Sequence, residues 1–182
     1  MSFIPNITQE SFLDAQNIIR PTIVQVACEF LGFPASNYEG YLRGQSPDQG
    51  FDCSGFVLYV IRQAQNKIPS LIVSDGIRHA NEMFDRLGVL IHDEERLPGD
   101  LIFFSRKGLL PSHVGIYLGQ TEENKEYFIH SPGRNDTRIR INQFNDSPLP
   151  LLHEKQIYRK NPIGFKRLTM QNGENGRYNQ II

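Results

Sequence analysis

The chain changes its hydrophobic period once, near Gly88, and that change restricts the fold more than any other feature of its 182 residues. Before it, apolar residues recur every three or four positions, as in "PTIVQVACEFLG" and in the run that follows Cys53. After it come short runs rich in β-branched and aromatic residues: "DLIFFS", "HVGIYLG", "EYFIHS", "TRIRINQF" and "IGFKRL". Turn signals separate them at Pro98-Gly99, Gly119 to Asn124, Pro132-Gly133 and Asn161-Pro162. Helices first and strands later predict an α+β domain with an antiparallel sheet of about five strands. The length suits one domain with a single core.

Within the helical part, Thr8 to Arg20 carries Phe12, Leu13, Ile18 and Ile19 at loosely helical spacing. Pro21 is expected to break that segment and to open a second helix, which Gly32 and Pro34 stop. An irregular stretch follows, from Phe33 to Gly50. The next helix is expected from Cys53 to about Asn66, burying Phe56, Val57, Val60, Ile61 and Ala64. Another is expected from about Asp75 to Leu87, with Ser74 as N-cap and Gly88 as its stop. The polar end "QNGENGRYNQII" reads as a loose tail.

Composition narrows the function classes. The formal net charge is -1, so no global electrostatic case exists for nucleic acid or an anionic membrane surface. No run approaches the ~18 apolar residues of a membrane span. The N-terminus "MSFIPNITQESFLDAQ" lacks the pattern of a secretory signal. The expected setting is the cytoplasm, or export by a non-classical route. Nothing in the sequence sets an oligomeric state. The two cysteines form no CxxC, and Cys28, among apolar residues at helical spacing, is expected to be a small buried hydrophobe.

Cys53 is different. It stands between Asp52 and Ser54 at a helix mouth, with Gly55 leaving the backbone open to close approach. A helix N-terminus offers unpaired N–H groups and partial positive charge, which lower a thiol pKa. Its own N–H could help bind an oxyanion. A buried helix-start cysteine with no chemistry is the alternative. A thiolate needs a base, most often histidine. Of the five histidines, His79, His92 and His153 lie in polar surroundings that suit a surface role. His113 opens one strand and His130 ends the next, so a hairpin between them sets the two imidazoles side by side. His113 would then serve Cys53, and His130 would fix the tautomer of His113. Two unrelated strand-end histidines, or a three-ligand zinc site of Cys53, His113 and His130, are the alternatives. No HExxH spacing supports a metal.

The segments "GFDCSGFVLYV", "LPGDLIFF", "HVGIYLG" and "FIHSPG", in that order, resemble the NlpC family of papain-like bacterial cysteine peptidases, which cut cell-wall peptides. The resemblance runs from about Ile23 to Leu168. It implies a papain-like α+β fold with the catalytic cysteine at a helix N-terminus. It implies Cys53 as nucleophile, His113 as base and His130 as the group that orients it. It also implies Tyr41 beside the thiolate, and Asp52 with Ser54 lining the pocket for the amine end of a substrate peptide. The expected substrate is peptidoglycan or a muropeptide, the bond that between D-γ-glutamate and a diamino acid, with no metal or other cofactor. Residues 23–169 would form the catalytic domain, 1–22 a helical extension and 170–182 a polar tail. Departures lie around the groove. Gln45 stands where the family has the second of two glycines, and "PASNYEG" looks inserted. Ser70 stands where many members have an arginine, and the hairpin loop "QTEENKE" is long. The same triad would also suit an isopeptidase, deamidase or acyltransferase on another substrate. A wall-peptide binding module without catalysis is a further alternative.

Overall fold

A computed structural model describes residues 9–35, 44–105, 110–132, 138–144 and 162–170. Helix α1 (Gln9–Glu29) is followed by the short strands β1 (Gln45–Ser46) and β2 (Gly50–Phe51), then by α2 (Cys53–Lys67) and α3 (Ala80–Arg86). Six strands complete the order: β3 (Val89–Ile91), β4 (Leu101–Phe104), β5 (His113–Gln120), β6 (Glu126–His130), β7 (Arg140–Phe144) and β8 (Gly164–Arg167). They form one antiparallel sheet in the order β3-β8-β4-β5-β6-β7. The architecture is the expected α+β one. The sheet gains one strand over the expected five, because β3 pairs with β8 at the edge.

One face of the sheet carries Leu101, Phe103, Val114, Ile116 and Ile129 into the main core. There they meet Ile19, Ile23, Val26 and Ala27 of α1 and Phe56, Val57, Val60, Ile61 and Ala64 of α2, all at most 1% exposed. The other face gathers a smaller cluster of Ile102, Phe104, Tyr117, Phe128 and Phe165. The continuous run "LIFF" is thus explained, since β4 is central and buried on both faces. On that second face Glu126 accepts hydrogen bonds from Arg96 Nε (2.6 Å) and Tyr117 Oη (3.0 Å). Burial, reinforced by that carboxylate, pushes the Tyr117 hydroxyl up to about 12.

Several local expectations change. Pro21 does not break the first helix, which runs straight through it. The proline and Asn17, whose carbonyl loses its partner, both lie on the exposed side, and Thr22 Oγ1 donates to the Ile18 carbonyl at 2.8 Å. Burial of Ile19 and Ile23 on the opposite side offsets a cost of ~3 kcal/mol for an interior proline. Cys28 is exposed, not buried. It sits one position past Ala27, about 100° round the helix from the buried stripe. The helix expected from Asp75 starts later, with His79 as N-cap and not Ser74. Glu82 Oε2 accepts from the backbone of Arg78 (2.7 Å) and His79 (2.8 Å), which fixes that start. Ser74 instead donates to the Arg86 carbonyl. Among the described residues no helix is long and apolar enough to cross a membrane.

Candidate active site

Cys53 is the first residue of α2, and Asp52 is its N-cap. The Asp52 backbone is extended, and its Oδ1 accepts the Gly55 N–H at 2.7 Å. Gly55 is needed here for close approach. A Cβ at that position would stand 2.3 Å from the Gly44 carbonyl oxygen. The backbone that comes close is thus the chain's own, and Gly44, just before β1, is seated directly on the helix mouth. Asp52 N–H in turn donates to that carbonyl at 3.1 Å.

The strand side arrives from β5 and β6. Continuing the Ile116–Ile129 register by one residue sets Gly115 opposite His130, with His113 on the diagonal. A Cβ on Gly115 would lie 2.8 Å from the Phe128 ring and 3.2 Å from His130 Cβ. Its absence lets the His130 ring lean across to His113. His113 Nε2 and His130 Nδ1 are 2.8 Å apart, with the rings nearly perpendicular at 87°. Both histidines are buried. The hairpin expected between them is present.

The two sides meet at the sulfur. The backbone N–H groups of Val114, next after His113, and of Ser54 hydrogen-bond Cys53. Cys53 is half-buried, with its thiol set deep among protein atoms. Burial pushes the Cys53 thiol above its ordinary pKa, and the Asp52 carboxylate pushes the same way. The two backbone donors and Arg78 pull it down, but by less. The direction is opposite to the lowering expected from the helix mouth, with desolvation as the largest cause. His130 moves in the opposite sense. Burial, reinforced by Arg140, lowers it to about 3, so the ring stays neutral.

The NlpC/P60 family model matches residues 39–149, a span that includes Cys53, His113 and His130. The chain belongs to the NlpC/P60 family. Among its relatives, the gamma-DL-glutamyl hydrolase of Bacillus subtilis (strain 168) is 31% identical over 97 residues, covering 50% of this chain and 21% of that protein. The murein DD-endopeptidase MepH of Escherichia coli (strain K12) is 37% identical over 106 residues, covering 57% of this chain and 34% of that protein. The chain thus spans about a third or less of the length of these relatives. A crystal structure of an NlpC/P60 family protein from Bacillus cereus ATCC 10987 superposes with a TM-score of 0.56 at 25% identity, covering 81% of this chain and 39% of that one.

Against this NlpC/P60 frame, one residue of the site escaped the sequence reading. Arg78 Nη1 and Nη2 donate to Asp52 Oδ1 (3.1 Å) and Oδ2 (2.6 Å), and Nη1 also donates to Ser54 Oγ (2.9 Å). A guanidinium fork therefore holds both residues that flank Cys53. Ser70, where an arginine was the family expectation, instead contacts Met170. The spacing of His79 and Glu82 marks a helix mouth, but no local pattern ties position 78 to position 52. His79 and His92 sit at helix N-caps outside the site. Tyr41, His153, much of "PASNYEG" and residues 171–182 lie outside the described residues.

Proposed function

We propose that this chain is a cysteine endopeptidase that hydrolyses peptidoglycan stem peptides at the bond between D-γ-glutamate and a diamino acid. The observation that carries the reading is the His113–His130 hydrogen bond on a strand whose next residue, Val114, bonds the Cys53 sulfur. The resting group is a thiol. His113 takes its proton, and the thiolate attacks the amide carbonyl. The Cys53 N–H at the start of α2 supports the oxyanion. His113, now imidazolium, protonates the leaving amine, and then activates water against the thioester. In this reading His113 donates its Nε2–H to Nδ1 of the neutral His130, which leaves the other His113 nitrogen free for the thiol. With the two ring nitrogens 2.8 Å apart, a zinc ion bonded to both at ~2.0–2.1 Å would need an N–Zn–N angle of about 86°, well below the tetrahedral value.

Residues 23–169 would be the catalytic unit, with 1–22 as an extension that continues into it through α1 and 170–182 as a tail. Tyr41, Asp52 and Ser54 would meet the acyl side of the substrate. The names of the two relatives support wall-peptide or γ-glutamyl chemistry and differ in the bond they specify. The resemblance in the motifs around Cys53 favours the γ-glutamyl bond.

Arg78 favours one second reading. Asp52 already accepts four hydrogen bonds, two from the Arg78 fork, one from the Gly55 N–H and one from Ser54 Oγ, and the Asp52–Arg78 pair is neutral overall. A substrate without a free amine, processed by the same triad as an isopeptidase, deamidase or acyltransferase would, also fits. Mass spectrometry of a muropeptide panel separates the two. A Cys53→Ala variant is expected to fold and to leave every stem peptide uncut. Cleavage at the parent rate by that variant refutes the mechanism. No cut by the parent, with an acyl-enzyme formed from another amide, favours the second reading.

A further inference from the structure

The two sides of the site are joined by a second, buried contact, at the residue after His130. Ser131 is wholly buried, and its Oγ donates a hydrogen bond to the backbone carbonyl of Phe51. Phe51 ends β2, two residues before Cys53. The backbone of Ser131 also hydrogen-bonds the His130 ring. One residue therefore touches the histidine pair through its main chain and the approach to the nucleophile through its side chain. Pro132 follows it, and a proline keeps Ser131 in extended backbone, which suits a fixed side-chain direction.

We propose that Ser131 is a positioning residue that sets the His113–His130 pair against Cys53. The proposal rests on the cysteine-peptidase reading above. Its physical basis is that the Val114 and Ser54 contacts to the sulfur act from the helix and from β5 only, whereas nothing else described ties the end of β6 to the strand leading into Cys53. Without the Ser131 hydroxyl, the end of β6 loses its hydrogen bond to the strand leading into Cys53 and is free to shift. The His130–His113 bond then moves away from the thiol. The charged groups that act on Cys53 are Asp52 from the helix mouth and Arg78 from the loop before α3, and the β5 group at its sulfur is the Val114 backbone. Arg140 of β7 faces His130. A Ser131 substitution changes none of these charges, so any shift in thiol titration comes through geometry.

The test uses the full chain and its two cysteines. Alkylation by iodoacetamide is followed from pH 5 to 10 by peptide mass spectrometry, in the parent and in Ser131→Ala. Cys28 is exposed and remote from the site, so it serves as the internal reference. The expected result is a rise of about one unit in the pH midpoint for Cys53, hence about tenfold slower alkylation near pH 7, with Cys28 unchanged. Ser131→Thr, which keeps the hydroxyl, is expected to restore the midpoint, and muropeptide cleavage is expected to show the loss in kcat and not in KM. A lowered Tm with an unchanged Cys53 profile would mean a merely structural serine and overturns the proposal. Should Ser131→Ala fail to fold, a crystal structure of the parent decides. Ser131 Oγ within hydrogen-bond reach of the Phe51 oxygen supports the proposal, and separation beyond it overturns it. Failure of the underlying reading has a different signature, in which the parent itself leaves every muropeptide uncut.

Discussion

The two sides of the site are built from opposite physical materials. The helix side holds Cys53 between Asp52 and Ser54, with Arg78 forked across them at 21% exposure and in reach of solvent. The strand side holds His113 and His130 among Phe104 and Phe128, at ring separations of 6.1 and 4.7 Å, almost without exposure. An ion pair flanks Cys53 on the first side, whereas aromatic rings surround the histidines on the second, with Arg140 facing His130. The strand side thus supplies a buried, preset hydrogen bond between two rings, one of them held neutral, while the thiol lies beside a charged pair.

The largest break in this comparison comes from removing the base. His113→Gln is expected to cut turnover by about a thousandfold, within the range for a positioned general base, with little change in Tm. A steady-state assay against parent enzyme checks it. Next is Gly115→Ala, which places a methyl against Phe128 and His130. Overpacking costs roughly 1–3 kcal/mol, and a larger fractional loss in kcat than in stability is expected, because the displaced ring is His130. Kinetics and thermal melting on the same preparation would show it. Arg78→Gln comes third. Losing a mostly buried fork costs about 2 kcal/mol, and Cys53 alkylation should shift to higher pH, since Arg78 lowers its pKa. Because Asp52 raises the thiol pKa more than Arg78 lowers it, added salt should speed Cys53 alkylation, and more in the variant, where Asp52 is unopposed.

The smallest effect sharpens the other side. His130 is lowered to about 3 in the folded chain, whereas an unfolded histidine titrates near 6.5. Between those values the unfolded state binds the proton and the folded state does not. Stability therefore rises with pH from about 3 to 6.5, and is lost as pH falls through that window. His130→Gln keeps an acceptor for His113 and removes this titration. Its Tm should fall less than the parent's between pH 7 and pH 4, with activity reduced only modestly.

Much of this arrangement could be read before any coordinates, for a definable reason. Period and turn chemistry are local, so α2, the strands β4 to β8 and the His113–His130 hairpin were all legible. What escaped was decided at a distance. Pro21 stays in a helix because Ile19 and Ile23 are buried against other elements, which no window around residue 21 reports. Cys28 turns outward by a single position in a stripe whose edge the sequence does not mark. Arg78 reaches Asp52 across 26 positions, and Ser131 reaches Phe51 across 80. The thiol pKa was misjudged for the same reason, since a helix mouth is local and burial is not.

The contact between Val114 and the Cys53 sulfur has a consequence for the chain as it is made. The nucleophile leaves the ribosome well before β5 and β6 do. Until those strands pair and close on the mouth of α2, the cysteine is an ordinary thiol with no base beside it and no peptide within its grasp. On the proposed reading, competence thus waits for β5 and β6 to close on α2, so a copy without that pairing is chemically silent and the fold itself arms the thiol.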